Sequence, residues 1–193
     1  MKKNMYLAAT FLLATSLMFS CGRKAETETD SKEIAEEQNE AKHEDSNIEK
    51  DTEFAMNAAD AGLLEVRLGE LAQTNAASQQ VKEFGQMMVT DHSKANDELK
   101  SLAAQKNISL PGALSEKCQK KYDELAEKKG ADFDKAFMKG MVDDHEEVVK
   151  SFKKEAEDGN DPEIKAWASG KVAALEHHLE SAKTTRDAVE KSK

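Results

Sequence analysis

The sequence is short of most of what marks a β-rich, metal-finger or nucleic-acid-binding protein. Cysteine occurs twice, at Cys21 and Cys118, and neither lies in a Cys-x-x-Cys pair. That removes the zinc-finger and thioredoxin-like readings. Two prolines, nine glycines and 5% aromatic residues provide too few turn signals for a β-sandwich. Clustered lysine and arginine are missing and the formal net charge is -10, which argues against a nucleic-acid partner, because phosphate binding needs a concentrated basic surface. No Ser-His-Asp arrangement and no glycine-rich phosphate loop is present. What the chain has in quantity is charge, 34% of its residues, as expected for a helical protein with solvated faces.

The longest charge-free apolar run, residues 5–19, follows the basic start Lys2-Lys3. It is short for a membrane span and fits a secretory signal peptide. It ends in Leu17-Met18-Phe19-Ser20-Cys21, which looks like a bacterial lipobox with Cys21 as the lipid-carrying first residue of the mature protein. Acyl chains there anchor at about 0.8 kcal/mol per buried methylene. Residues 22–51 hold five basic residues against eleven acids, with Ile34 and Ile48 as the only large aliphatics. So little apolar surface does not offset the entropy of ordering. The expectation is therefore a signal peptide at 1–20, a lipidated Cys21 with a flexible acidic tether to residue 51, and a folded domain over 52–190. Glu and Lys favour transient helix in the tether, and His43 is expected to be solvated there.

Within the domain, apolar residues recur at three- and four-residue steps. A first helix is expected over 52–74, with Phe54, Ala58, Ala61, Leu64, Leu68 and Leu71 on one face and Glu65 beside them. A short link leads to a second over 78–106, capped by Ser78, with the stripe Val81, Phe84, Met88, His92, Ala95, Leu99 and Leu102. Pro111 and Gly112 close a loop, and a short crossover helix runs from Ser115 to Gly130. Cys118 in it has no histidine near it in sequence and reads as a packed or idle thiol. A third long helix, over 132–158, carries Phe133, Phe137, Met141, His145, Val148 and Phe152. Asp161-Pro162-Glu163 is the clearest helix start, with cap, proline and first-turn acid in order. The last helix then carries Ile164, Trp167, Leu175, His178 and Ala182. The fold class is all-α: a four-helix bundle of ferritin-like topology, two antiparallel pairs joined by a long crossover that holds a short extra helix.

One phrase occurs twice. Phe84-Gly85-Gln86-Met87-Met88-Val89-Thr90-Asp91-His92 is echoed by Phe137-Met138-Lys139-Gly140-Met141-Val142-Asp143-Asp144-His145. Each copy ends with a histidine on an apolar stripe. Glu65, His92, His145 and His178 all lie near the midpoints of their helices, so in an up-and-down bundle they share one layer whatever the helix directions. Imidazole and carboxylate inside a dry bundle need mutual hydrogen bonds or a metal to offset desolvation. The candidate metal set is His92, His145, His178 and Glu65. Asp91, Asp144 and Glu176 lie next to or near a histidine in sequence, about 100° round the helix or more, and are candidates to support the ligands from behind or to lie at the surface. A di-iron oxidase is not expected, because Val89, Val142 and Leu175 stand where Glu-x-x-His would place its glutamates. Met88 and Met141, one turn before two of the histidines, read as core filling rather than copper ligands. His177 points away from His178, toward solvent.

At Leu63-Leu64-Glu65-Val66-Arg67-Leu68-Gly69-Glu70-Leu71-Ala72, at Val81-Lys82-Glu83-Phe84-Gly85-Gln86-Met87-Met88-Val89-Thr90-Asp91-His92, at Leu110-Pro111 and at Phe133-Asp134, His145 and His178, the chain resembles the bacterial domain-of-unknown-function family 4142. The resemblance covers about residues 52–188. It implies a ferritin-like helical fold and secreted, periplasmic or lipoprotein members, often described as outer membrane proteins, and it implies no activity. The family's histidines carry over to His92, His145 and His178.

Together these features predict a cell-envelope lipoprotein, anchored to a membrane through Cys21, most simply the outer membrane, whose bundle binds one transition-metal ion or handles envelope stress. The competing expectation is a metal-free structural or partner-binding module, with the histidine layer a hydrogen-bonded network. The sequence assigns no protein partner. An enzymatic role needs, in addition, an open coordination position and a pocket that reaches the layer.

Overall fold

The computed structural model describes residues 30–43 and 48–191. The signal peptide, Cys21 and the first part of the tether lie outside the described residues. Six helices make up the rest: α1 (Ser31–His43), α2 (Glu49–Asn75), α3 (Gln79–Gln105), α4 (Glu116–Ala126), α5 (Gly130–Asp158) and α6 (Pro162–Lys191). No strand occurs among the described residues. The four long helices have 27, 27, 29 and 30 residues, the lengths that the apolar stripes demand.

Hydrogen bonds at the helix ends establish the topology. The buried Asp134, near the start of α5, accepts from the backbone N–H of Ala77 and of Ser78, at 3.1 and 2.9 Å, in the α2–α3 turn. Asp51, fully buried in the first turn of α2, accepts from Asn160 and Asp161 in the α5–α6 turn. So α2 and α5 start at opposite ends, each beside the other pair's turn, and α3 runs parallel to α5. Two antiparallel hairpins joined by a crossover that spans the length of the bundle is the ferritin-like connectivity. The two reciprocal caps also correct one expectation. Ser78 occupies the cap position of α3, but its side chain makes no capping bond, and Asp134 reaches across to satisfy the turn instead. Asp161 caps α6 as expected, through Ile164 N–H at 3.0 Å, and Ser115 caps α4 through Cys118 N–H at 3.2 Å.

The α2–α3 hairpin is drawn tight by two glycines. A Cβ on Gly69 would lie 2.4 Å from the Gly85 carbonyl oxygen, and one on Gly85 would meet the Cβ of Ala72 at 2.8 Å. Only residues without a side chain allow the backbones that close.

The tether expectation fails for residues 31–43, which form α1 and dock on the crossover. The apolar contribution is small, as the composition implied: Ala35 is buried and Ile34 stays exposed. Polar side chains hold the helix instead. Asn39 donates to the Ser109 carbonyl at 2.8 Å and accepts the Ser109 N–H at 2.6 Å. Ser31 Oγ accepts from Gly112 and Ala113, and Asp30 from Glu116. A crossover loop carries backbone groups with no ladder of their own, and α1 supplies their partners. α2 likewise starts three residues earlier than expected, because Asp51 is needed inside as a cap.

The core comes in two parts. One gathers Leu68, Phe84, Met88, Phe133, Phe137 and Met141. The other gathers Phe54, Leu99, Phe152, Ile164, Ala168 and Leu175. Each large side chain fully removed from water contributes about 1.5–3 kcal/mol. The polar layer lies between them.

Candidate functional site

Each of the four long helices places one polar side chain at mid-height, on the face its apolar stripe turns inward. Glu65 follows Leu64 on α2, His92 follows Met88 by one turn on α3, His145 follows Met141 by one turn on α5, and His178 follows Leu175 on α6. All four are buried, at 3%, 6%, 0% and 2% exposure, so the layer is inside the protein rather than at its rim. The imidazole centroids lie 5.3 to 5.8 Å apart, each ring touching the other two.

Each ring is held by one nitrogen. His92 Nδ1 meets Glu65 Oε2 at 2.8 Å. His145 Nδ1 meets the Met141 carbonyl at 2.9 Å, with Glu65 Oε1 at 3.6 Å. His178 Nε2 meets Asp91 Oδ2 at 2.8 Å. All three partners are acceptor oxygens, so the proton sits on the outer nitrogen and the other nitrogen presents its lone pair. Those other atoms, His92 Nε2, His145 Nε2 and His178 Nδ1, are buried and have no partner in the protein. One ring nitrogen from each histidine lies within 4.8 Å of one from each of the others. An ion with bonds of about 2.1 Å in tetrahedral geometry needs nitrogens about 3.4 Å apart.

The electrostatics follow from the burial. Burial by itself pushes the Glu65 carboxyl up, but the charge of His92 and then of His145, with the His92 hydrogen bond, outweighs it and holds the group down to about 2. Burial likewise disfavours the charged form of His92, yet Glu65 beside it raises its pKa. His178 goes the other way: burial lowers its pKa, and the hydrogen bond to the half-exposed Asp91 does not recover the loss. The layer therefore contains a fixed negative charge that needs a positive one within a few ångströms.

The structure brings together His92, His145 and His178 and puts Glu65 behind them. The Glu65 carboxylate meets the outer nitrogen of His92 with Oε2, while its Oε1, 3.6 Å from His145 Nδ1, is buried without a hydrogen-bond partner, and the three converging nitrogens do not include it. Asp91 supports a histidine, but His178 on the facing helix and not its own neighbour His92. The other two candidates take the surface alternative. Asp144 turns to Lys121 at 2.5 Å and Glu176 to Lys153 at 2.6 Å, both directed outward. Met88 is fully buried in the core, and Met141 meets His145 through its carbonyl. His177 is exposed. Cys118 is buried against Asp60 at 3.1 Å, and burial pushes its thiol up to about 11, so it is unreactive at neutral pH. Sequence reasoning missed a cleft of about 220 Å³ that reaches Glu65, His92 and His178 from outside. Its walls come from four helices, and no local pattern marks it.

No curated protein and no solved structure matches the chain. A family match runs over residues 35–185 and takes in most of α1, all of α2 to α5, most of α6 and every residue of the polar layer. The chain belongs to the family described as Domain of unknown function (DUF4142).

Proposed function

We propose that the protein is a cell-envelope lipoprotein whose ferritin-like bundle holds one transition-metal ion through His92, His145 and His178. The observation that carries the metal reading is the set of three buried, unpartnered ring nitrogens, each on an imidazole fixed from behind by an oxygen. Outer oxygen partners that fix the tautomer and aim the lone pair are the usual support of metal-bound histidine. A buried acceptor left unpaired costs about 1–3 kcal/mol, and three together make a closed hydrogen-bonded network a poor account of the layer. Three imidazoles suit zinc, copper, nickel or iron over magnesium or calcium. The envelope reading rests on the signal-like N-terminus and Cys21. Among the described residues no helix is long and apolar enough to cross a membrane.

The metal-free reading has one observation in its favour. A proton on His92 supplies the positive charge that Glu65 needs, without any ion. The two readings separate on metal content. The full chain is purified untagged from native membranes and compared with the His92→Ala/His145→Ala double variant. Near one metal ion per chain in the first and none in the second supports the site. Equal, substoichiometric metal in both contradicts it. Labelling of Cys21 by a radioactive fatty acid, lost in Cys21→Ser, tests the anchor.

A further inference from the structure

We propose that the cleft between α3 and α6 carries a small anion to an open coordination position on the ion held by His92, His145 and His178. The inference rests on the metal reading above and adds to it a ligand class and a route. Three protein donors leave at least one position of a tetrahedral ion for an outside ligand. The geometry places that position on one side. His92 and His178 form the floor of the cleft, whereas His145 is fully buried behind them and does not line it. A larger groove on the opposite side, between α1, α4 and the α2–α5 seam, reaches Glu65 but no histidine. The route to the nitrogens therefore runs through the α3–α6 side.

Size and charge define the ligand. At about 220 Å³ the cleft is below the range of roughly 300–1,000 Å³ that holds a drug-sized molecule. Its width depends on small residues on α2, and at Gly62 a Cβ would lie 2.1 Å from Asn96 Oδ1, so Asn96 folds over a bare backbone. Its deeper wall is apolar, from Phe152, Trp167 and Leu175. Lys94 and Lys171 line it, and Lys171 pairs with Glu98. A divalent ion and two lysines, against the carboxylates of Glu65, Asp91 and Glu98, leave one positive charge. A monovalent anion of a few atoms neutralises it, and a cation or a bulky neutral molecule does not.

The test uses azide as the probe and the full chain loaded with cobalt(II), whose visible spectrum reports its ligands. Metal per chain is measured alongside, and circular dichroism confirms folding of each variant. Azide is expected to change the cobalt spectrum saturably. Ala174→Trp, at an exposed position lining the cleft, should weaken azide binding tenfold or more with cobalt still at one per chain. Lys94→Glu should weaken it about threefold at low salt, and less at high salt as screening takes over. Cobalt bound with no response to azide overturns the open position. An azide response equal in wild type, Ala174→Trp and Lys94→Glu overturns the route. Failure of the wild type to take up cobalt overturns the metal reading itself, and this inference with it.

Discussion

Two buried polar clusters in this molecule are built from similar material and finished differently. In the first, the Asp60 carboxylate accepts from Ser115 N–H at 2.9 Å, Ser115 Oγ at 2.6 Å and Cys118 Sγ at 3.1 Å, while Ser115 Oγ accepts from Cys118 N–H. Every donor there has an acceptor, and the cluster closes on itself to pin α4 to α2. In the second, each of three histidines is satisfied on its outer nitrogen and left open on its inner one. A network that only holds helices together has no reason to leave a buried ring nitrogen on each of three touching histidines without a donor. The contrast separates a structural cluster from a candidate site without reference to any ligand.

The largest effect that can break this comparison is expected at the closed cluster. Asp60→Ala strands three buried donors and should lower stability by roughly 2–4 kcal/mol in chemical denaturation, with the metal content of the folded fraction unchanged. Loss of metal in parallel would join the two clusters functionally and undo the distinction.

Glu65→Gln probes the open cluster from behind. It keeps the shape and removes the charge, so metal affinity should fall about 10–100-fold by chelator competition, while stoichiometry at saturation stays at one. A complete loss of binding would make Glu65 a ligand. The pH dependence of the metal-free protein has a defined sign. The Glu65 carboxyl is depressed on folding, so its contribution is present above about 4.5 and lost as pH falls toward 2. His92 is raised, so its contribution is full below its ordinary value near 6.5 and fades as pH climbs through the folded one. Glu65→Gln should flatten both limbs.

A third buried acid behaves as neither cluster does. Glu155 sits against Asp51 near the α5–α6 turn, and burial followed by the Asp51 charge pushes its carboxyl up to about 7. A carboxyl raised on folding stabilises least at high pH. Stability should therefore decline as pH rises from about 4.5 through 7, and Glu155→Gln should recover on the order of 1 kcal/mol at pH 8 and nothing at pH 4. A variant with the wild-type pH profile would contradict the pairing.

The smallest effect is expected at Asp144→Asn and Glu176→Gln, which break outward ion pairs with Lys121 and Lys153. Surface pairs of this kind contribute about 0–1 kcal/mol, and metal affinity should not move.

These last two residues show where sequence reasoning stops. Helical periodicity tells which face a residue occupies, and midpoint counting tells its height, so the histidine layer and Glu65 were legible from spacing alone. Neither tells which atom meets which. Asp91 lies beside His92 in sequence, yet it reaches His178 across the cleft, because a residue about 100° round from the inward face sits at the seam with the next helix. Asp144 has the same relation to His145 and meets Lys121 on α4 instead. The docking of helix α1 was invisible for a related reason. Counting aliphatic residues measures apolar burial, whereas Asn39, Ser31 and Asp30 hold this helix by completing the hydrogen bonds of a distant loop. Asp161, whose cap is local, was readable at once. Ser78 looked as good, and lost its role to Asp134 from another helix.

A layer built to hold an ion should reveal itself in thermal unfolding with and without zinc. A ligand that binds only the folded state at 100 times its dissociation constant stabilises by about 2.7 kcal/mol, roughly 5–10 °C for a domain of this size. That rise is expected for the wild type, with its reversal by a chelator and its absence in His145→Ala. A wild type unmoved by zinc, or an equal rise in His145→Ala, would contradict the metal reading.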